Sequence, residues 1–314
     1  MSSATAATLQ DSQTWATDLF ADARDAAHLE WGRAPARFAV ADTARSLATR
    51  ELLQHWLTFG NLQYPQFNVG RGGEAMPPTL YTRTQVYGAR RLTGCADPER
   101  IAAQVRDGAT LTLSNPERWD EGLANFCRSL RRAMQTDVQA FVYLTAPDRF
   151  GSRPHRDAAE VFVIQNEGTK RWYLYDIPSG DDWKMGHLAE ERQPSEILEL
   201  AAGDGLYVPA GMGHCAQAGP EGSLHTTISL RTPRMSEVLT AWVTAIARAL
   251  PRNERLPIRK DERFPVIREL LLKIAKETQA VDEADIDELL ERMTTEQFIP
   301  DGAISLLPRE HAEA

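Results

Sequence analysis

Apolar positions change their period twice along this chain, and the three regimes predict three structural regions. Between Gln10 and Trp56, the residues Trp15, Leu19 and Phe20, then Leu52, Leu53 and Trp56, recur at three- and four-residue spacings, the period of one helix face. Residues 1–108 are therefore read as a mainly helical N-terminal region supporting the strand-rich middle of the chain. Asp97-Pro98-Glu99-Arg100 and Asn115-Pro116-Glu117-Arg118 each place a capping side chain before a proline and an acid in the first turn. Two helices are expected to start there, with a strand-like Ala109–Leu113 between them. The period then becomes that of strands, with β-rich runs at Gln139–Thr145, Glu160–Gln165, Arg171–Ile177, Gly205–Val208 and Leu224–Leu230 separated by Gly, Pro and Asp turns. Many short strands without intervening helices predict an antiparallel sandwich or barrel over 109–232. After Pro233 helical spacing returns in Val238, Leu239, Trp242, Val243, Ile246 and Leu250, and again in Val266, Ile267, Leu270, Leu271 and Ile274. Residues 233–314 are read as a helical C-terminal region, and the whole as an α+β protein.

Composition narrows this picture. At 314 residues, 42% hydrophobic and 25% charged, the chain is long enough for a large core and ordinary for a globular protein. The formal charge of −9 disfavours long-range attraction to nucleic acid or anionic lipid. Cys95, Cys127 and Cys215 are widely spaced, odd in number and without a CxxC pair, which argues against a disulfide framework and a structural zinc site and fits a reducing cytoplasm. Met1–Phe20 has no basic segment leading into an apolar core, and no run reaches 18 apolar residues, so neither a leader nor a membrane span is expected. Ser2–Thr8 reads as a frayed end.

Candidate chemistry lies in the strand-rich middle. In an extended segment residues two apart project to one side, so His155 and Asp157 can both turn toward one ion while Arg156 points away. A third ligand must come from another strand. His214 ends the segment Gly203-Asp204-Gly205-Leu206-Tyr207-Val208-Pro209-Ala210-Gly211-Met212-Gly213-His214, where proline and glycines let the backbone approach closely. Two imidazoles and one carboxylate form the set that holds non-haem Fe(II) on one face and leaves positions open for oxygen chemistry. Taken alone, His-x-Asp is also what chance places on a solvated loop; the strands on both sides and the distant histidine set it apart. His225 is either a substitute ligand or a packed strand histidine, His187 reads as a loop residue, and Cys215 faces away from His214.

Tyr143-Leu144-Thr145, Pro154-His155-Arg156-Asp157, Val161 through Gly168, Lys170-Arg171-Trp172, and Gly203-Asp204 through His214 together resemble the cupin-type Jumonji C oxygenases, most of all their ribosomal-oxygenase branch, over about Ala109–Leu230. The resemblance implies a double-stranded β-helix, or jelly-roll, barrel and a dioxygenase using Fe(II), 2-oxoglutarate and O2. It implies that His155, Asp157 and His214 bind iron, that Lys170 pairs with the distal carboxylate of 2-oxoglutarate, that the Tyr143 hydroxyl reaches the same group, and that Ser223 or Thr227 adds a hydroxyl contact. Independent chemistry agrees, because a dicarboxylate chelating a metal at one end needs a fixed cation at the other. The implied reaction is hydroxylation of an amino-acid side chain in a protein or peptide. Hydroxylation of an amino acid or peptide natural product is the alternative, and a metal-binding cupin without turnover is the reading from another class. Two departures bear on the substrate: Arg156 stands where that branch usually has an aromatic residue, which predicts a charged cleft wall, and the roughly 80 residues after Pro233 leave room for a helical dimerisation segment but are short for a winged-helix domain. Arg149, Arg153, Arg156 and Arg192 would then mark an anionic or backbone-rich substrate edge. A homodimer is expected.

Overall fold

The computed structural model describes residues 15–180, 182–188, 192–248, 250 and 255–295; the expected frayed end at Ser2–Thr8 lies outside them. The chain divides at Thr232/Pro233 into two compact units.

Two long strands organise the first unit. β9 (Glu160–Leu174) and β13 (Gly213–Arg231) are antiparallel neighbours from Leu174↔His214 to Glu160↔Leu230, with register shifts at Ala218/Ser223 and Leu224/His225. Both bend where they cross: Gly168 has φ +69°, and a Cβ there would stand 2.2 Å from the Gly222 carbonyl oxygen, so the crossing requires glycine. The bend splits one sheet into two leaves. The first runs β1 (Ala36–Ala39), β12 (Asp204–Val208), the N-terminal half of β9, the C-terminal half of β13, β7 (Asp137–Thr145), β6 (Thr110–Ser114), β2 (Phe67–Arg71) and β3 (Glu74–Ala75). The second carries β11 (Glu196–Ala201) on the far half of β9, β8 (His155–Arg156) on the start of β13, and β10 (Gly186–His187) on β8.

The leaves face each other. Val161, Val163, Leu206 and Val208 from the first meet Trp172, Leu174, Leu200 and Ala216 from the second in one buried cluster. The alternate residues Phe162, Ile164, Leu224 and Ile228 pack outward against Leu53 and Trp56 of the helix Arg50–Phe59 and against Leu123, Phe126 and Leu130 of the helix Glu121–Met134. Both faces of the first leaf are thus covered, which is why residues 161–166 are apolar or buried without alternation. The bulged crossing also exchanges parity. Odd positions of β9 face the interior before Gly168 and even positions, Lys170 and Trp172 among them, after it. The result is the α+β jelly-roll barrel that the strand spacing and the resemblance imply.

Two expectations are corrected. The N-terminal region is mixed, not mainly helical: besides the helices Arg50–Phe59 and Pro98–Arg106 it supplies β1, β2 and β3 to the main sheet and a separate hairpin of β4 (Thr82–Tyr87) and β5 (Arg90–Ala96). These strands are short, and β1 buries only Phe38, so their period was lost between stronger helical signals. The helix expected at Asn115 begins instead beyond Asp120. Asn115 is left-handed (φ 53°) and its side-chain amide donates to Glu117 at 3.1 Å, leaving a single 3-10 turn at Pro116–Arg118. The Asp120 carboxylate caps the helix Glu121–Met134, accepting from the Leu123 N–H at 3.0 Å. At Asp97 the expected cap forms on the Arg100 N–H, starting Pro98–Arg106.

The second unit consists, among its described residues, of the helices Met235–Arg248, Lys260–Gln279 and Glu283–Thr295. Trp242 Nε1 donates to Thr278 Oγ1 at 3.1 Å, tying the first to the second. No helix among the described residues is long and apolar enough to cross a membrane.

Candidate metal centre

His155 on β8 and His214 on β13 are cross-strand partners, so their side chains share a face, with ring centroids 4.4 Å apart. His155 Nδ1 lies 2.8 Å from the Arg153 carbonyl oxygen and His214 Nδ1 3.1 Å from that of Met212. A carbonyl oxygen only accepts, so Nδ1 carries a hydrogen in both rings and Nε2 is the nitrogen turned toward Asp157. The two Nε2 atoms stand 3.7 and 3.5 Å from Asp157 Oδ2. Ligands about 2.1 Å from a shared ion lie roughly 3.0–3.4 Å from one another at octahedral or tetrahedral angles, so the two histidine–carboxylate separations are within a few tenths of an ångström of that range, and all three ligand atoms lie within 4.8 Å of one another. His214 is buried, and burial, then His155, pushes its pKa down to about 4. Its imidazole is therefore neutral, the ligand form, throughout the neutral range.

The trio opens into a cavity of about 100 Å³ lined also by Tyr143, Lys170, Trp172, His225 and Thr227. Lys170 is buried, and its ammonium donates to Thr145 Oγ1 at 3.1 Å and to His225 Nδ1 at 3.2 Å, without a carboxylate partner among the described residues. Burial pulls its pKa down to about 7. His225 is buried against this ammonium, and burial followed by the Lys170 charge holds it neutral. Its ring stacks on Tyr143 with centroids 4.8 Å apart and planes 11° from parallel. Burial, with Asp157 adding to it, pushes the Tyr143 hydroxyl well above the usual phenol range, so it is an un-ionised donor.

The structure thus brings His155, Asp157, His214, Lys170 and Tyr143 to one cavity. Ser223 is elsewhere: the register shift at Leu224/His225 separates it from inward-facing His225 and Thr227, and its hydroxyl accepts from Gln165 Nε2 at 2.9 Å. Of the two hydroxyls weighed from the sequence, Thr227 lines the cavity. Thr145 was missed as a partner of Lys170, although it shares a strand face with Tyr143 two residues before it. His225 is a packed strand histidine, and Cys215, whose Sγ lies 3.8 Å from the Tyr175 hydroxyl, points away from the trio. His187, read as a loop residue, sits on β10 opposite His155 and is exposed.

Arg156 overturns the expectation of a charged cleft wall. Its guanidinium is buried and donates to the carbonyl oxygens of Asp176 and Gly211 at 2.8 and 2.5 Å. Arg153 is paired with Glu74 at 2.9 Å, so two of the four arginines proposed for a substrate edge have structural partners.

Residues 112–238 match the family model of the JmjC domain. Among curated proteins, the bifunctional lysine-specific demethylase and histidyl-hydroxylase NO66 of Drosophila grimshawi is 38% identical over 144 residues, covering 44% of this chain and 20% of that protein. NO66 of Drosophila erecta is 32% identical over 249 residues, covering 69% of this chain and 37% of its own length. The chain therefore spans well under half the length of these relatives. Among solved structures, the Escherichia coli ribosomal oxygenase YcfD superposes with a TM-score of 0.59 at 15% identity over 93% of this chain and 76% of its own. YcfD in complex with cobalt and 2-oxoglutarate gives 0.53 at 16% identity over 82% and 67%. At such identities these structures establish the fold.

Proposed function

We propose that the barrel of this chain, which matches the JmjC domain model over residues 112–238, is an Fe(II)- and 2-oxoglutarate-dependent dioxygenase that uses O2 to hydroxylate an amino-acid side chain in a protein or peptide. One observation carries the reading. Two imidazoles and a carboxylate converge at one end of a cavity whose wall holds a buried ammonium without an anion among the described residues. Burying a lone cation is expensive. A small dicarboxylate, chelating an ion at one end and offering a carboxylate at the other, resolves the imbalance.

In this reading His155, Asp157 and His214 hold the ion on one face. Lys170 fixes the distal carboxylate, helped by the Tyr143 hydroxyl, while Thr145 and neutral His225 orient the ammonium. Trp172 and Val161 line the cavity with apolar surface, which strengthens the charge pair by excluding water. The bound iron and 2-oxoglutarate supply the oxidising chemistry, with succinate and CO2 leaving as one carbon of the substrate gains oxygen. The protein binds, orients and excludes. The names of the NO66 relatives, histidyl-hydroxylase and lysine-specific demethylase, support a protein substrate. The natural-product alternative draws on Arg156 as a charged wall and on the short helical region after Pro233, and the burial of that guanidinium removes the first of these two grounds.

Anaerobic titration tests the reading. Fe(II) with 2-oxoglutarate is expected to produce a visible metal-to-ligand charge-transfer band that neither gives alone, and admission of O2 to release succinate. Bound iron without the band would sink the cosubstrate assignment and favour the metal-binding cupin without turnover.

A homodimer belongs to the same proposal. Met235, Leu239, Phe264, Leu271 and Leu272 on the C-terminal helices are all more than half exposed, more apolar surface than a solvated helix ordinarily presents. Sedimentation at micromolar concentration is expected to give a dimer mass, and a monomer would reject it. Cys95, Cys127 and Cys215 are buried free thiols, which suits the proposed setting in a reducing cytoplasm.

A further inference from the structure

The residue between the first two ligands has no part in that chemistry, yet it is buried and charged. Arg156 Nη1 donates to the carbonyl oxygens of Gly211 and Asp176 at 2.5 and 2.8 Å. The Gly211 N–H in turn donates to the Asp157 carbonyl oxygen at 2.8 Å. Both polar backbone groups of Gly211 are therefore held by the segment carrying His155 and Asp157. Gly211 lies three residues before His214, has φ +80°, and is so close to Trp183 that a Cβ would stand 2.8 Å from its ring. The turn delivering the third ligand cannot shift without breaking these bonds. Asp176, the other acceptor, lies just beyond the end of β9, so the same guanidinium also fixes the strand on which His214 is registered through Leu174.

We infer that Arg156 is a positioning residue that couples the two halves of the metal-ligand set, holding His214 at its distance from His155 and Asp157 through Gly211. A side chain without donors leaves two inward carbonyls unpaired and frees the turn. Lysine, with one compact ammonium on a flexible stem, does not reproduce a planar donor in a fixed place. Groups one step behind metal ligands typically alter affinity by about 10–100-fold, and that is the range expected.

The inference rests on the metal site proposed above, and Co(II) serves as probe because its absorption reports coordination geometry without turnover. Wild type, Arg156→Met, Arg156→Lys and Arg171→Met are titrated with Co(II), and the melting temperature of each apo-protein is recorded. Arg171 pairs with exposed Glu199 at 3.1 Å and serves as a surface control. Expected are a Kd about 10–100-fold weaker and an altered visible spectrum for Arg156→Met, a smaller loss for Arg156→Lys, and no change for Arg171→Met. A lower melting temperature with wild-type Kd and spectrum would overturn the inference, leaving Arg156 a stabilising residue only. Should Arg156→Met not fold, Arg156→Lys decides alone: a Kd weaker by about threefold or more supports the coupling, and a wild-type Kd and spectrum overturn it. Failure of the wild type to bind Co(II) would overturn the metal site itself.

Discussion

Asp157→Ala is expected to abolish the stabilisation that a divalent ion gives this protein while leaving the apo-protein nearly as stable as wild type. Asp157 contributes the one carboxylate of the trio, and its side chain is 40% exposed and stands 3.7 and 3.5 Å from the imidazoles of His155 and His214. Removing it therefore opens no core cavity and orphans no buried donor, so the apo-protein should change by no more than about 0.5 kcal/mol. Binding is another matter. An ion at 100 times its Kd stabilises wild type by about 2.7 kcal/mol, and two imidazoles without an anionic ligand should weaken affinity beyond the roughly 100-fold typical of changes behind the ligands. At the same ion concentration little of that stabilisation survives. Urea unfolding with and without Mn(II) or Co(II) measures both quantities. Retention of the full ion-induced shift by Asp157→Ala would mean that the ion binds elsewhere. His214→Ala is the poorer probe, because this histidine is buried and its loss mixes a packing defect with the loss of a ligand.

How much was legible in the sequence depends on the range of each signal. β7, β6, β12, the two halves of β9 and the second half of β13 were readable because β-rich runs bounded by Gly, Pro and Asp turns are a local signal. That the halves join across Gly168 and Gly222 into two bent strands was not, since the crossing is a contact between glycines 54 residues apart. The trio was legible because two ligands lie within three residues and the third ends a turn of proline and glycines. Ser223 failed for a related reason: facing is predictable from parity only where a strand is regular, and the register shift beside it exchanges inside and outside. Arg156 shows a different limit. Parity correctly sends it away from the ion, but what lies on that far side is Gly211 and Asp176, brought there by tertiary structure. A charged residue facing away from a site looks solvent-bound in sequence, and here it faces the backbone of the neighbouring turn.

Lys170→Met should lower 2-oxoglutarate affinity by two orders of magnitude or more and remove a pH dependence that the wild type is expected to show. Methionine keeps the stem and deletes the charge. Breaking a buried ion pair by removing one partner typically costs about 3–5 kcal/mol, and each 1.4 kcal/mol is about tenfold in affinity. The sign of the pH effect is set by burial. The ammonium's pKa is pulled down to about 7 in the free protein, below its unfolded value of about 10.4. Between those values the unfolded chain binds more protons, so the stability of the apo-protein gains a contribution that grows as pH rises from 7 and is absent below it. The cosubstrate acts in the opposite direction. Its carboxylate requires the ammonium, so above pH 7 binding must take up a proton, and the apparent Kd should weaken by about tenfold per pH unit until the pKa of the complex is reached. His225 does not add to this slope, because burial and the Lys170 charge already hold it neutral. Affinity read from the anaerobic charge-transfer band between pH 6.5 and 9, together with calorimetry in buffers of different ionisation enthalpy, gives the slope and the proton count. A flat profile in the wild type, or the same slope in Lys170→Met, would mean that the buried ammonium is not what holds the far end of the cosubstrate, and the assignment of this cavity to a dicarboxylate would lose its physical basis.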